Sequence, residues 1–196
     1  MEVETDQSPQ IVIIAGPNGA GKSTLAPYLL RDWLGLLEYV NADTIAQGLS
    51  AFRPEQAAFE AGRIMLGRLR ELAGKRENFA FETTLATRSY APWLAELRRQ
   101  GYRVHLSFIW LNSPEIALQR VRERVQSGGH GIPEETVRRR YRKGLQNFFA
   151  LYQPLADTWG VYDNSASPNP VLVATGSLTA VNIASPDLWA AFCKVT

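Results

Sequence analysis

The sequence is poor in the residues that build disulfide frameworks and metal clusters. It holds one cysteine, Cys193, and two histidines among 196 residues. An internal disulfide framework and a cysteine-based metal cluster are therefore excluded, and a lone cysteine is typical of a reducing compartment. No apolar run is long enough to span a bilayer, and residues 1–10 lack the basic and apolar regions of a secretion signal. These features predict a cytoplasmic protein without a membrane anchor.

The sequence also lacks a large excess of charge of either sign. Lysine and arginine total 21 against 19 acidic residues, a net charge of +2, which is too small to argue for nucleic acid as a partner. The basic residues nevertheless cluster between Arg120 and Lys143, and such a local cluster suits a small anionic ligand better than a long polyanion. The length suits a single domain over residues 1–196.

Strands and helices are predicted to alternate along the chain. Gln10–Ala15 is a β-branched run typical of a strand buried on both faces. Further strands are predicted at 37–41, 79–81, 102–111, 159–162 and 171–175, and helices at 22–32, 54–75, 89–100, 113–126 and from 132 onward. The apolar face of the last helix is predicted to consist of Val137, Tyr141, Leu145, Phe148 and Tyr152. This alternation predicts a parallel α/β sheet covered on both faces. Ligands of such sheets bind at the carboxyl ends of the strands.

The strongest motif follows the first strand. Residues 16–23 match G-x-x-x-x-G-K-[ST] and stand between a predicted strand and a predicted helix. The glycines let backbone N–H groups turn toward phosphate oxygens, Lys22 adds a positive charge, and Ser23 can place its hydroxyl on Mg²⁺. A glycine-rich turn that matches by chance is the alternative, and the strand–loop–helix context argues against it. The predicted ATP-binding residues are Gly16, Pro17, Asn18, Gly19, Ala20, Gly21, Lys22, Ser23 and Thr24.

Two acidic residues stand at predicted strand ends. Asp43, after the second strand, could accept the proton of a substrate hydroxyl that attacks the γ-phosphate, or it could cap the following helix. Glu82 follows Phe79-Ala80-Phe81 and could hold Mg²⁺ through water, bind substrate, or face solvent. The fourth strand ends in Asn112 rather than in the aspartate of a Walker B motif, so Glu82 is the candidate of greater interest.

A lid is predicted over about 120–143. Basic residues flank a glycine-rich break at 128–131, and Arg120 and Arg124 are four residues apart on one helix face. A hinged lid could close these arginines over transferring phosphates; a solvated basic face paired with glutamates is the alternative. His130, within the break, is predicted to face the ligand or solvent. Residues 166–196 are predicted to form a C-terminal hairpin and tail.

Taken together, these segments resemble the zeta-toxin-like kinases, P-loop phosphotransferases whose best-known members phosphorylate UDP-N-acetylglucosamine. The shared segments are 16–24, 41–43, 81–84, 128–130 followed by Pro133 and 138–141, and 162–165, and the resemblance covers residues 10–176. The glycine-glycine-histidine break is typical of a compact bacterial branch of that family.

The resemblance implies an adenylate-kinase-like P-loop NTPase fold with a five-stranded parallel sheet in the order 2-3-1-4-5. It implies that Asp43 is the general base and that Lys22 and Arg120 stabilise the transferring phosphoryl group, with Glu82 and Thr84 on the sugar-nucleotide side. His130 is the further substrate-binding candidate. ATP and Mg²⁺ would be the cofactors. Toxin members are restrained by a separate antitoxin chain, which is the partner this resemblance implies.

The chain differs from the best-known toxins in two ways. It is shorter, and the lid arginine of those toxins is replaced near His130. The leading prediction is an ATP-dependent kinase for a UDP-amino-sugar. A kinase for another metabolite or an antibiotic, an ATP-binding regulatory module and a nucleic-acid end kinase are the alternatives. Arg120–Lys143 contains few aromatic residues, whereas an end kinase is expected to have a basic groove lined with them.

Overall fold

The computed structural model describes residues 8–28, 30, 36, 38–51, 53, 56–129, 131–166 and 169–194. Within that part of the chain one sheet contains seven strands: β1 (Gln10–Ala15), β2 (Tyr39–Val40), β3 (Phe79–Thr83), β4 (Arg103–Trp110), β5 (Thr158–Asp163), β6 (Val171–Ser177) and β7 (Val181–Ile183). Their order is β2-β3-β1-β4-β5-β6-β7.

The first five strands of this order are parallel, which confirms the predicted order 2-3-1-4-5. The five-stranded sheet that the resemblance implied is two strands too small. The strand predicted at 171–175 is β6, which pairs antiparallel with β5, and β7 pairs antiparallel with β6. A short connection joins β6 to β7, as is usual for antiparallel neighbours. The C-terminal hairpin therefore extends the sheet.

Seven α-helices are described: α1 (Lys22–Pro27), α2 (Ala42–Leu49), α3 (Ala58–Gly74), α4 (Tyr90–Arg99), α5 (Pro114–Gln126), α6 (Glu134–Asn147) and α7 (Pro186–Lys194). Ser113 accepts a hydrogen bond from the Ile116 N–H and Pro114 occupies the first turn of α5, so this helix begins where its capping signal predicted. The predicted start of α3 at Pro54 and Glu55 lies outside the described residues, as does residue 32, the predicted end of α1. None of the described helices is long and apolar enough to cross a bilayer.

The predicted apolar face of α6 is confirmed. Its members are all buried, and the last two continue the helix through a π-turn (Phe148–Tyr152): Val137, Tyr141, Leu145, Phe148 and Tyr152. Phe192 of α7 joins Phe108, Trp110 and Phe148 in one aromatic cluster, with ring centroids 5.1 to 5.7 Å apart. Helix α7 therefore packs into the core through Phe192.

Candidate active site

The P-loop is held in place by the strands on either side of it. The Gly16 N–H donates to the Thr83 carbonyl at the end of β3 (3.2 Å). A Cβ at Gly16 would lie 2.1 Å from the Ile109 carbonyl oxygen of β4, which only glycine permits. Asn164, at the end of β5, donates through Nδ2 to the Ala20 carbonyl at 2.9 Å. Three strands therefore fix the conformation of this loop.

Lys22 lies inside the site rather than on its rim. Its side chain is 6% exposed, its Nζ donates to the Pro17 carbonyl at 2.9 Å, and the same atom lies 3.7 Å from Glu82 Oε1. Burial lowers the pKa of Lys22, and the nearby carboxylates of Glu82 and Asp43 oppose that shift. The lysine is therefore a buried cation whose nearest charges are two acids, an arrangement that can accept phosphate oxygens in their place.

A hydrogen-bond network surrounds the second carboxylate oxygen of Glu82. Its Oε2 accepts from Tyr39 OH at 2.6 Å, Ser23 Oγ at 2.8 Å and Asn41 Nδ2 at 2.9 Å. The Glu82 side chain is 10% exposed, so these donors replace most of its water. Burial and the Glu82 carboxylate both raise the pKa of Tyr39, which keeps its hydroxyl protonated as a donor.

The strand order explains why Glu82 reaches the P-loop. In the parallel sheet β3 is the direct neighbour of β1, and Ile14 is in register with Glu82. A Walker B motif, an apolar run followed by an acid, is missing at the end of β4. The corresponding run lies on β3, as Phe79-Ala80-Phe81-Glu82. Hydroxyl and carboxylate oxygens are the donors that Mg²⁺ prefers, so Ser23 and Glu82 fit such an ion beside a bound triphosphate. No cluster of three or more histidine, cysteine or acidic side chains suited to a metal occurs in the described ranges.

Asp43 is not the cap of α2. The cap is Asn41, whose Oδ1 accepts from the N–H groups of Asp43 at 2.7 Å and of Thr44 at 3.3 Å. Asp43 lies in the first turn of α2 and lines the same cleft as Lys22. Its charge raises the pKa values of both Lys22 and Arg140 against the effect of burial. The sequence alternative that explained Asp43 as a helix cap is thereby removed.

Five of the basic residues of α5 and α6 fall into two groups. Arg120, Arg124 and Arg140 line the cleft, and Arg120 donates to the carbonyls of Ser165 at 3.2 Å and Gly19 at 3.5 Å. Arg122 and Arg138 instead form ion pairs with Glu134 and, for Arg138, with Glu115. The solvated-face interpretation thus describes the second group, while the first lines the same cleft as the P-loop. Of the predicted lid, His130 lies outside the described residues.

The cleft itself has a volume of about 630 Å³. The P-loop, Glu82 and the three arginines line this cleft. Apolar and hydroxyl side chains line it as well: Ala46, Ala58, Met65, Thr84, Thr87 and Tyr90. A cleft of this size with both charged and weakly polar walls can hold a nucleotide and a second molecule together.

Helix α6 fixes the loop that carries Thr84. Leu85 adopts a left-handed backbone conformation (φ 55°), which is unusual for a residue with a branched side chain. Asn147 Nδ2 donates to the Leu85 carbonyl at 2.7 Å, and a Cβ at Gly144 would lie 2.4 Å from the Thr84 carbonyl oxygen. The shape of this loop therefore depends on a helix about 60 residues further along the chain.

Replacing Gly144 by alanine is expected to destabilise the protein, although alanine favours helices. The added methyl must push α6 away from Thr84, which costs about 2 kcal/mol of unfolding free energy. The matched control is Gly67→Ala in α3. There, among the described residues, nothing beyond the helix's own backbone and the adjacent residues comes within 4 Å of an added Cβ, and a small gain in stability is expected. Urea denaturation of both variants measures the difference. Equal stability of the two variants would contradict the close approach of α6 to the loop.

Sequence reasoning gave no role to several residues of the site. Tyr39 precedes the recognised Asn41–Asp43 segment by two residues, and Asn164 lies in segment 162–165, which was named only as part of the family resemblance. Arg140 was one member of a basic set without a position of its own. Local patterns do not encode these contacts, since each joins elements distant in sequence; only the strand order could have indicated them.

The sheet order, the loop held by three strands and the buried lysine define a P-loop NTPase with a kinase-like α/β fold. The chain belongs to the AAA domain family, whose model matches residues 11–151. An uncharacterized protein of Haemophilus influenzae is 34% identical over 130 residues, which are 66% of this chain and 91% of that protein.

Solved structures of similar fold include chains of two protein complexes. A chain of the AvrRxo1-ORF1:AvrRxo1-ORF2 complex with sulphate ions matches with a TM-score of 0.74 at 16% identity and 93% coverage of this chain; the same complex has also been solved with ATP. This chain spans 63% of that one. A chain of the PezAT toxin–antitoxin system of Streptococcus pneumoniae matches with a TM-score of 0.65 at 15% identity, over 97% of this chain and 80% of that one.

Proposed function

We propose that this protein transfers the γ-phosphoryl group of ATP to a hydroxyl group of a small molecule. The observation that carries the proposal is the position of Asp43. Its carboxylate lines the cleft that contains Lys22 and is close enough to shift the pKa of that lysine. A P-loop lysine and a carboxylate in one cleft are the two groups a kinase needs at the two ends of the transferred phosphoryl group.

The roles follow from the placement of the side chains. Backbone N–H groups of the P-loop and Lys22 bind the phosphates, and Arg120, Arg124 and Arg140 offer positive charge where negative charge develops during transfer. Asp43 accepts the proton of the acceptor hydroxyl as its oxygen attacks phosphorus, and the bond from phosphorus to the ADP oxygen breaks. Ser23 and Glu82 would hold Mg²⁺, which neutralises charge on the β- and γ-phosphates when bound.

A UDP-amino-sugar such as UDP-N-acetylglucosamine is the acceptor we propose first. The support is the zeta-toxin resemblance of segments 41–43, 81–84 and 128–130, together with the similarity in fold to a chain of the PezAT system. Thr84, Thr87 and Tyr90 are hydroxyl-bearing residues that line the cleft, which suits a hydroxylated ligand. A different metabolite or an antibiotic is the alternative acceptor, and an ATP-binding module without transfer is the alternative function.

The partner and the compartment follow from the same proposal. One protein of similar fold is a chain of a complex of AvrRxo1-ORF1 with AvrRxo1-ORF2, and another is a chain of the PezAT toxin–antitoxin system. By analogy with PezAT, we propose that a separate antitoxin chain restrains this protein. An enzyme that consumes ATP works where ATP is made available, and we therefore propose the cytoplasm.

The experiment that tests the function is a screen for phosphorylated product. Purified protein is incubated with ATP and Mg²⁺ and with pools of UDP-sugars, nucleosides, simple sugars and aminoglycosides, and new phosphate is detected by mass spectrometry. We expect a mass increase of one phosphoryl group on a UDP-amino-sugar. Phosphate on another pool would replace the acceptor and keep the reaction. Binding of ATP without product in any pool would favour the regulatory module.

A further inference from the structure

Tyr39 makes a contact that the roles described above leave unexplained. It lies at the start of the two-residue strand β2 and is in register with Ala80 of β3. Its hydroxyl crosses to the next strand and donates to Glu82 Oε2 at 2.6 Å, the shortest of the three hydrogen bonds to that oxygen. A phenylalanine ring would fill the same space, so packing alone does not explain the hydroxyl group of Tyr39.

The three donors around Glu82 determine its orientation. Tyr39, Asn41 and Ser23 all bond to Oε2, while Oε1 is the oxygen nearest Lys22, at 3.7 Å. The carboxylate cannot rotate without breaking hydrogen bonds in a site where little water replaces them. Two of the three donors, those on Tyr39 and Asn41, come from β2 and the residue that follows it. Tyr39 is paired with β3, and the Asn41 side chain is fixed by the N–H groups of Asp43 and Thr44.

The orientation of Glu82 in turn sets that of the Ser23 hydroxyl. The Ser23 hydroxyl donates a hydrogen bond to Glu82 and accepts one from Asn41 Nδ2 at 3.3 Å. One lone pair of its oxygen is then left for a further ligand. Ser23 itself is exposed and lines the cleft. A hydroxyl whose proton is committed to a carboxylate presents its remaining lone pair to a cation, as the P-loop serine must.

We infer that Tyr39 is a positioning residue. It holds Glu82 in the orientation that accepts the Ser23 hydrogen bond, and so turns the free lone pair of Ser23 toward the nucleotide-bound divalent cation. The inference rests on the proposed function for its use of ATP. It concerns binding of the nucleotide with its cation, however, and can be measured without any acceptor. Partners that orient a ligand of a metal often change affinity for that metal by one to two orders of magnitude when removed.

The experiment measures nucleotide binding by the whole protein with a fluorescent ATP analogue while Mg²⁺ is titrated. For Tyr39→Phe the half-saturating Mg²⁺ concentration is expected to rise about tenfold. Affinity for the analogue in EDTA is expected to stay unchanged, because Lys22 and the loop N–H groups remain. The matched control is Tyr102→Phe, which removes a hydroxyl that donates to the carbonyls of Ala73 and Glu77 outside the cleft. It is expected to alter thermal stability and leave the Mg²⁺ titration unchanged.

A double-mutant cycle separates positioning from a general loss of structure. Glu82→Gln alone should raise the half-saturating Mg²⁺ concentration. Adding Tyr39→Phe to it should raise that concentration little further, since both substitutions act through one group. Additive effects of the two substitutions would overturn the inference. So would a Mg²⁺ titration of Tyr39→Phe equal to that of the wild type, or wild-type binding that is indifferent to Mg²⁺. Mg²⁺-dependent binding without product in the acceptor screen would instead count against the proposed function alone.

Discussion

Asp43→Asn is expected to abolish phosphoryl transfer while ATP still binds. Asparagine keeps the size of the side chain and disturbs no cap, because Asn41 caps α2. It cannot accept the proton of the acceptor hydroxyl, and loss of a positioned base lowers kcat by about 10³-fold. Turnover of the identified acceptor and binding of a fluorescent ATP analogue are measured on the same preparation.

The control for Asp43 is another acid in the first turn of a helix. Asp187 lies in the first turn of α7 and is exposed, so Asp187→Asn removes a comparable interaction with the helix dipole outside the cleft. Its turnover should match that of the wild type. Full turnover by Asp43→Asn would remove this carboxylate as the base and leave Glu82 as the remaining acid of the cleft.

Lys22→Ala is expected to lose both nucleotide affinity and turnover. The ammonium is buried, donates to the Pro17 carbonyl and lies 3.7 Å from Glu82 Oε1, so its removal leaves Glu82 without this cation in the proposed phosphate site. We expect turnover to fall by at least about 10³-fold, together with any growth defect caused by expression of the active protein.

Lys143→Ala is the matched control for Lys22. Lys143 is exposed on α6 and its loss changes net charge by the same amount. Isothermal titration with ATP and Mg²⁺, followed by the product assay, compares the two variants. A Lys22→Ala protein that phosphorylates its acceptor normally would contradict the assignment of residues 16–23 as the phosphate site.

The features that local patterns encode were predictable from the sequence. The run at Gln10–Ala15, the glycine spacing after it and the cap at Ser113 each act over a few residues, and each leads to the observed element. The apolar spacing of α6 likewise predicted which of its side chains are buried. The parallel order followed from the family resemblance rather than from any single pattern.

Contacts between distant segments could not be predicted in this way. Glu82 was recognised as a strand-end acid, but its contact with Ser23 depends on β3 lying beside β1. The bonds of Tyr39 and Asn164 each join segments that the strand order alone brings together. A C-terminal hairpin was predicted over 166–196, but its pairing with β5, which makes β6 and β7 part of the sheet, was not.

The close approach of Gly144 to Thr84 has a consequence for any attempt to change the acceptor. The P-loop is fixed by the ends of β3, β4 and β5, whereas the loop carrying Thr84 takes its shape from α6. The two halves of the site thus have separate scaffolds. A graft of residues 83–88 alone into a related enzyme would leave that loop without the helix that determines its shape. We therefore expect acceptor preference to be transferred only when the loop and α6 are grafted together.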